Sequence, residues 1–315
     1  MEPVPSEPTR VPLPGGFDLL KNAFSFYQGH WRIIFTLASV PAIFAILEAI
    51  LRGSPVSFLF GILASLGGIL TQIAIILLAA DAGGSATAKN LLTRGVRFII
   101  PFLIVSSLAA FSALGGLLLL IIPGILVALW LSVSLYVAIV EGKRNLAALA
   151  GSWYYTQGRA GEIFLRLLIL GIFILITFIP TALLSGIPTD IQNITQEAAI
   201  PLPTAILQIF IQSYIASPLG ILFLFGIYQA LKNAKPAPIS PEEEKKYRRY
   251  IITFLILGAI GLVLIVAIFG ALFIWYAQDF IPPASSPMAE SAPYRELGSA
   301  LTSFGPLLNL IQSFR

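Results

Sequence analysis

Seven stretches of the chain stay apolar long enough to cross a lipid bilayer, roughly 31–51, 56–80, 98–121, 124–140, 162–184, 204–231 and 250–276. A helix needs about 20 such residues to traverse a hydrocarbon core of about 30 Å. Only a helix or a closed barrel satisfies its own backbone groups there. No stretch carries the short alternating pattern of a membrane barrel strand. The pattern therefore predicts an all-α integral membrane protein with about seven transmembrane helices. The third and fourth stretches are divided only by Pro123-Gly124, in the run LLLLIIPGILVALW. Proline disfavours a helical residue before it and glycine permits a sharp reversal, so the run predicts a hairpin tip at the membrane edge.

Mixed segments precede three of the spans, at 17–29, 84–97 and 144–158. In the first, Leu20, Ala23, Phe24 and Tyr27 recur at helical spacing while Lys21 and Gln28 fall elsewhere on the wheel. Such segments predict amphipathic helices lying in the membrane interface, rings toward lipid and cations toward headgroups. Ser25-Phe26-Tyr27-Gln28-Gly29-His30 echoes Ser152 to Arg159 after two insertions, and Lys21-Asn22 echoes Lys89-Asn90. The chain thus reads as three repeats of an interfacial helix plus a helical hairpin, followed by one extra span. By region this gives a disordered arm at 1–16, a six-helix bundle at 17–232 and a basic linker at 233–249. The seventh span follows at 250–276, and then a tail at 277–315 with an amphipathic stripe of Leu297, Leu301, Phe304, Leu308 and Ile311.

Composition agrees with lipid as the solvent. The chain is 57% hydrophobic and only 11% charged, against roughly 25% charged in an average soluble domain. Charge placement then orients it. With the N-terminus in the cytoplasm, sixteen of the nineteen Lys and Arg residues fall on the cytoplasmic side, as the positive-inside rule requires. Among them, Lys21, Arg32, Lys89, Arg94, Arg97, Lys143, Arg144 and Arg159 sit where they would meet anionic headgroups of the inner leaflet. Membrane lipids are accordingly the expected partners, not nucleic acid. A protein partner is expected, if at all, through the seventh span or the tail.

Polar side chains at membrane depth are costly and are the first functional suspects. Glu48 and Arg52, and again Glu162 and Arg166, read as i,i+4 ion pairs near span ends. Asp81 and Glu141 close the second and fourth spans, where an acid opposes the helix dipole. Either each caps the next helix or pairs with Lys89, Lys143 or Arg144, or the two together bind a cation or an amine headgroup. Gln72, Thr177, Gln208, Gln212 and Tyr214 read first as interhelical hydrogen-bonding groups, with Gln208, Gln212 and Tyr214 as the alternative lining of a polar cavity. The glycine pairs Gly67-Gly68 and Gly115-Gly116 suit close helix approach. With no cysteine and one histidine, His30, and without a P-loop or nucleophile motif, no catalytic residue, metal or cofactor is assigned.

Ile122-Pro123-Gly124 opening a span, Glu141-Gly142 closing it, then Ala148, Ser152 and Trp153 leading to Gly158-Arg159 make residues 121–170 resemble a known membrane domain. It is the one attached to glycerophosphodiester phosphodiesterases and found in related uncharacterised prokaryotic membrane proteins. The likeness continues more loosely over about 15–232. It implies a helical bundle in a prokaryotic cell membrane and not the activity, whose His and acidic ligands belong to a soluble barrel for which this chain has no room. The expectation is a non-enzymatic multi-pass protein serving as an envelope scaffold or accessory subunit. The alternative is a transporter or lipid-handling protein using a polar cavity in the bundle.

Overall fold

A computed structural model describes residues 12–81, 87–185, 201–235 and 237–278; the arm before residue 12 and the tail stripe beyond 278 lie outside them. Every regular element among the described residues is helical. In order they are α1 (Gly16–Ile50), α2 (Pro55–Ala80), α3 (Ala88–Val96), α4 (Ile99–Leu119), α5 (Ile121–Leu131), α6 (Ser134–Val140), α7 (Leu146–Thr156), α8 (Ala160–Ser185), α9 (Leu202–Phe210), a π-helical segment (Ile211–Ala216), α10 (Ser217–Ala234) and α11 (Pro241–Gln278). Seven helices are long and apolar enough to cross a membrane, with α5–α6 and α9–α10 each serving as one span.

The chain divides into two units between Ala259 and Ile260. In the first, Ile73 through Ala79 of α2 are all buried, which no amphipathic helix on a surface would allow. Its other half exposes Phe58, Leu59, Ile62 and Leu63, side chains suited to acyl chains. The described part of the second unit is the end of α11, where Val263, Phe269, Phe273 and Trp275 are exposed, as on a helix bathed in lipid.

Three breaks in the helices share one physical solution. Pro41 has no N–H, so the Leu37 carbonyl loses its usual donor; the Thr71 hydroxyl of α2 donates to it at 2.8 Å. In the π-helical segment ahead of Pro218, the Tyr214 carbonyl accepts from the Tyr27 hydroxyl of α1 at 2.8 Å. The turn at Ser132-Val133 between α5 and α6 frees the Trp130 carbonyl, which accepts from Ser152 at 2.7 Å and Thr156 at 3.1 Å. Water is absent at this depth, so each hydroxyl both satisfies a carbonyl and ties two helices together. Thr71→Val should therefore lower the thermal unfolding midpoint in detergent, through a loss of about 2 kcal/mol for the buried orphan. Adding Pro41→Ala restores the main-chain donor and should recover most of that loss.

The 17–29 segment is helical and is set off from the span that follows by a kink within α1. Only His30 leaves helical geometry (φ −121°, ψ 18°), its ring stacked on Phe26 at 4.3 Å. Other expectations need correction. The hairpin reversal sits at Leu120, extended at φ −173° and ψ 160°, three residues before Pro123. Proline instead occupies the first turn of α5, where its missing N–H costs nothing. Gly124 serves packing: a Cβ there would lie 2.7 Å from the Leu117 amide nitrogen of α4. The largest correction concerns 144–158. α7 does not lie on the interface with its rings in lipid, since Ala148, Leu149, Ala150, Ser152, Trp153, Tyr155 and Thr156 are all buried. Small residues on one side let neighbours close over it, and Trp153 meets Trp130 at 4.4 Å on the other.

Candidate functional site

At the end of the bundle where the cations gather, Glu141 is the centre of a network. It follows directly on α6 (Val140), and its Oε1 accepts hydrogen bonds from the Tyr155 and Tyr228 hydroxyls, both at 2.9 Å. Its Oε2 lies 3.0 Å from Lys143 Nζ, and Lys232 Nζ stands 3.6 Å from Oε1. Burial alone would raise this carboxyl. The hydrogen bonds from Lys143, Tyr155 and Tyr228 outweigh it and hold Glu141 below the usual carboxylate range. The same burial and the same acid push the Tyr155 hydroxyl up. Glu141 thereby clamps α6, α7 and α10 together. Of the partners expected for it, Lys143 is present and Arg144 is not.

Asp81 pairs with Arg94 of α3, not with Lys89. Asp81 and Glu141 thus have separate partners, and neither is left without one. Lys235, expected as part of a basic linker, caps the C-terminus of α7: its Nζ donates to the Tyr154 carbonyl at 2.5 Å and the Gln157 carbonyl at 3.2 Å. Burial, and then the Arg159 charge, lower its pKa. Arg166 keeps the expected pairing with Glu162, at 3.8 Å. It also donates to the carbonyls of Leu13 and Pro14, at 2.7 and 2.8 Å, so those two residues of the N-terminal arm are held in place. Lys21, Arg32, Lys89, Arg97 and Arg144 are exposed, and Lys143 is turned toward Glu141.

The opposite end holds a different arrangement. Ala45, Glu48, Ala49 and Arg52 face Ser57 of α2, Phe178 of α8, and Gln208, Gln212 and Ser213 across a cleft of about 500 Å³. An adjoining cleft of about 840 Å³ shares Glu48, Gln212 and Ser213 and reaches Pro41 and Gly61. Gly61 makes room for the carboxylate, since a Cβ there would lie 2.9 Å from Glu48 Oε1. Glu48 and Arg52 form no ion pair with each other or with any described residue, contrary to the expected i,i+4 bridge. The side-chain amides of Gln208 and Gln212 likewise make no hydrogen bond to other described residues, so they do not tie described helices together. Tyr214 is one: its hydroxyl lies 3.1 Å from Ser39 Oγ and its ring stacks on Phe35 at 4.4 Å. The π-helical segment explains the separation. Its extra residue per turn shifts the register, and Tyr214 packs on α1 while Gln212 and Ser213 line the cleft.

Gln212 lies ten residues into its span, about 15 Å at 1.5 Å per residue and so about half the hydrocarbon thickness. Charged and amide groups without partners among the described residues thus line a cleft that reaches to about this depth. Beyond it the buried run of α2 closes the bundle. Among the described residues no three His, Cys, Asp or Glu side chains converge as metal ligands do.

No family model, curated protein or solved structure matches this chain.

Nothing in those comparisons links it to the phosphodiesterase membrane domains. Several residues quoted for that resemblance have structural roles here: Pro123-Gly124 near the hairpin, Glu141 in the network, and Ser152 and Trp153 inside the bundle. The sequence signal for the Glu48 cleft was weaker. Gln208 and Gln212 were legible as amides on one span, but their junction with Glu48 and Arg52 depends on how α1 meets α9.

Proposed function

We propose that this is a lipid-handling membrane protein that takes the zwitterionic headgroup of an amphiphile into the Glu48 cleft. The observation that carries the reading is that the Glu48 carboxylate and the Arg52 guanidinium line one cleft with two glutamines, and none of the four side chains has a partner among the described residues. An isolated ionised carboxylate beside lipid is expensive, and an ammonium group on the occupant would offset that expense. Arg52 suits the accompanying phosphate, Gln208 and Gln212 suit its ester oxygens, and the exposed apolar face of α2 suits the acyl chains. The cleft closes near mid-membrane, which favours uptake from one leaflet over a through-channel.

On this reading the protein sits multi-pass in a prokaryotic cell membrane. The N-terminus is cytoplasmic, the C-terminus is outside, and the cleft opens to the outer leaflet. The three hairpins, each preceded by a helical segment, derive from one repeated unit. The expected scaffold or accessory role is the second reading, favoured by the apolar side chains of Ile260–Trp275, which offer a partner helix a broad contact surface.

The test uses the full chain in nanodiscs containing a photoactivatable phosphatidylethanolamine, with adducts mapped by mass spectrometry. Adducts should concentrate on peptides from α1, α2 and α9. Glu48→Gln should reduce them about tenfold, the equivalent of one lost charge-assisted hydrogen bond. Equal labelling of the variant and the wild type would remove the basis of the proposal.

A further inference from the structure

A second cleft, at the Glu141 end of the bundle and independent of the Glu48 cleft, has the opposite charge character. It encloses about 390 Å³ and is lined by Arg94, Arg97, Phe98, Pro101, Gly142 and Arg144 among others. Three guanidinium groups from two separate stretches of chain converge there. Arg94 is neutralised by Asp81. Arg97 and Arg144 are exposed and pair with no described acid, so among the described residues these two positive charges are uncompensated.

Arg144 is brought there by an unusual loop. Between α6 and α7 the chain passes through Gly142 at φ +68° and Asn145 at φ +52°. The second of these is a conformation that a non-glycine residue adopts only when its surroundings hold it. Both flanks of the loop are fixed, on one side by the Glu141 network and on the other by buried α7. Arg144 therefore points from a rigid frame and not from a loose surface loop. Arg97 comes from the junction between α3 and α4.

Two unpaired guanidiniums match a dianion better than a monoanion. We infer that this cleft binds a phosphate monoester, the group that bears nearly two negative charges near neutral pH and offers three oxygens to forked donors. A phosphodiester carries a single charge and fits less well. The chemistry could be supplied by a lipid headgroup such as phosphatidic acid, with Phe98 and Pro101 beside its glycerol, or by a soluble phosphate compound.

The experiment holds the purified full chain in nanodiscs and compares three probes: phosphatidic acid, phosphatidylglycerol and inorganic phosphate. Retention of phosphatidic acid well above phosphatidylglycerol, lost in Arg97→Gln/Arg144→Gln by about tenfold for each guanidinium removed, is the expected result. Displacement of the bound lipid by millimolar inorganic phosphate would assign the site to a soluble phosphate instead, with the same recognition chemistry. Equal retention of the two lipids, or unchanged selectivity in the double variant, would overturn the inference. Should the double Gln variant fail to fold, Arg97→Lys/Arg144→Lys keeps the charge but loses the forked geometry. It must then show reduced preference for phosphatidic acid, and full preference would equally overturn the inference.

Discussion

Replacing Glu141 with leucine should lower the stability of the protein by about 3 kcal/mol, the scale expected when one member of a buried charged cluster is removed. The side chain is only 12% exposed and serves Lys143, Lys232, Tyr155 and Tyr228 at once. Its loss leaves two ammonium groups without their counter-charge and two hydroxyls without an acceptor. Glu141→Gln retains an acceptor and should cost roughly half as much, and Tyr155→Phe or Tyr228→Phe about 1 kcal/mol each. Unfolding midpoints in detergent, followed by tryptophan fluorescence, would rank the four. The pH dependence has a definite sign. Because the folded-state carboxyl is held below its ordinary range, its contribution is fully present above the unfolded value of about 4.3. It is lost as pH falls through the lower folded value. The wild type should therefore lose stability below about pH 4 more steeply than Glu141→Gln. Parallel acid profiles for the two proteins would refute the network as drawn.

The second large effect is steric. At the crossing of α4 and α11, a Cβ placed on Gly115 would run into the Phe254 carbonyl and the Gly258 amide, and one placed on Gly258 into the Phe111 carbonyl. These obstacles are backbone, which cannot rotate away as a side chain can. Gly115→Ala and Gly258→Ala should each cost about 3 kcal/mol, the upper end of ordinary overpacking. Each should also loosen the Tyr247, Tyr250 and Phe254 contacts with Trp153, now at 6.1 to 6.3 Å between ring centres. Faster tryptic cleavage at Lys245 and Lys246 would report the displaced helix. Gly68→Ala is the control. No heavy atom lies within 4 Å of its added methyl, so the gain in helix propensity should leave it neutral or slightly more stable. If Gly115→Ala and Gly68→Ala melt together, the tight crossing does not exist.

Apolar runs made the seven spans legible because each must satisfy a requirement written locally: enough consecutive apolar side chains to match the thickness of the hydrocarbon core. The helices of the first and last begin earlier, at Gly16 and Pro241, where a polar stretch continues the helix. Gly115 was also legible locally as a site of close approach, since a missing side chain can be read without knowing the neighbour. Its neighbour, Gly258 of α11, was not legible, because the choice between several apolar helices rests on shape. α7 illustrates the converse. Its mixture of rings and small residues has the pattern of a membrane-surface helix, and only the closure of α5, α6 and α10 around it makes burial the outcome.

The candidate sites divide the same way. Glu141 was conspicuous in the sequence as an acid ending an apolar helix, and Lys143 two residues on was an obvious partner. Tyr155 and Tyr228 had no local mark, and the first is 14 and the second 87 residues away. Glu48 and Arg52 carried the spacing of a helical ion pair, yet α1 ends at Ile50 and Arg52 lies in the turn that follows, so helical spacing no longer brings them together. Solvent preference, helical class and the distribution of cations are sums over single residues, and the sequence by itself determined them. Whether the carbonyl freed by Pro41 found a hydroxyl, which acid was paired and which was left open to a cleft were decided by the tertiary structure, because each depends on atoms contributed by helices remote in the chain.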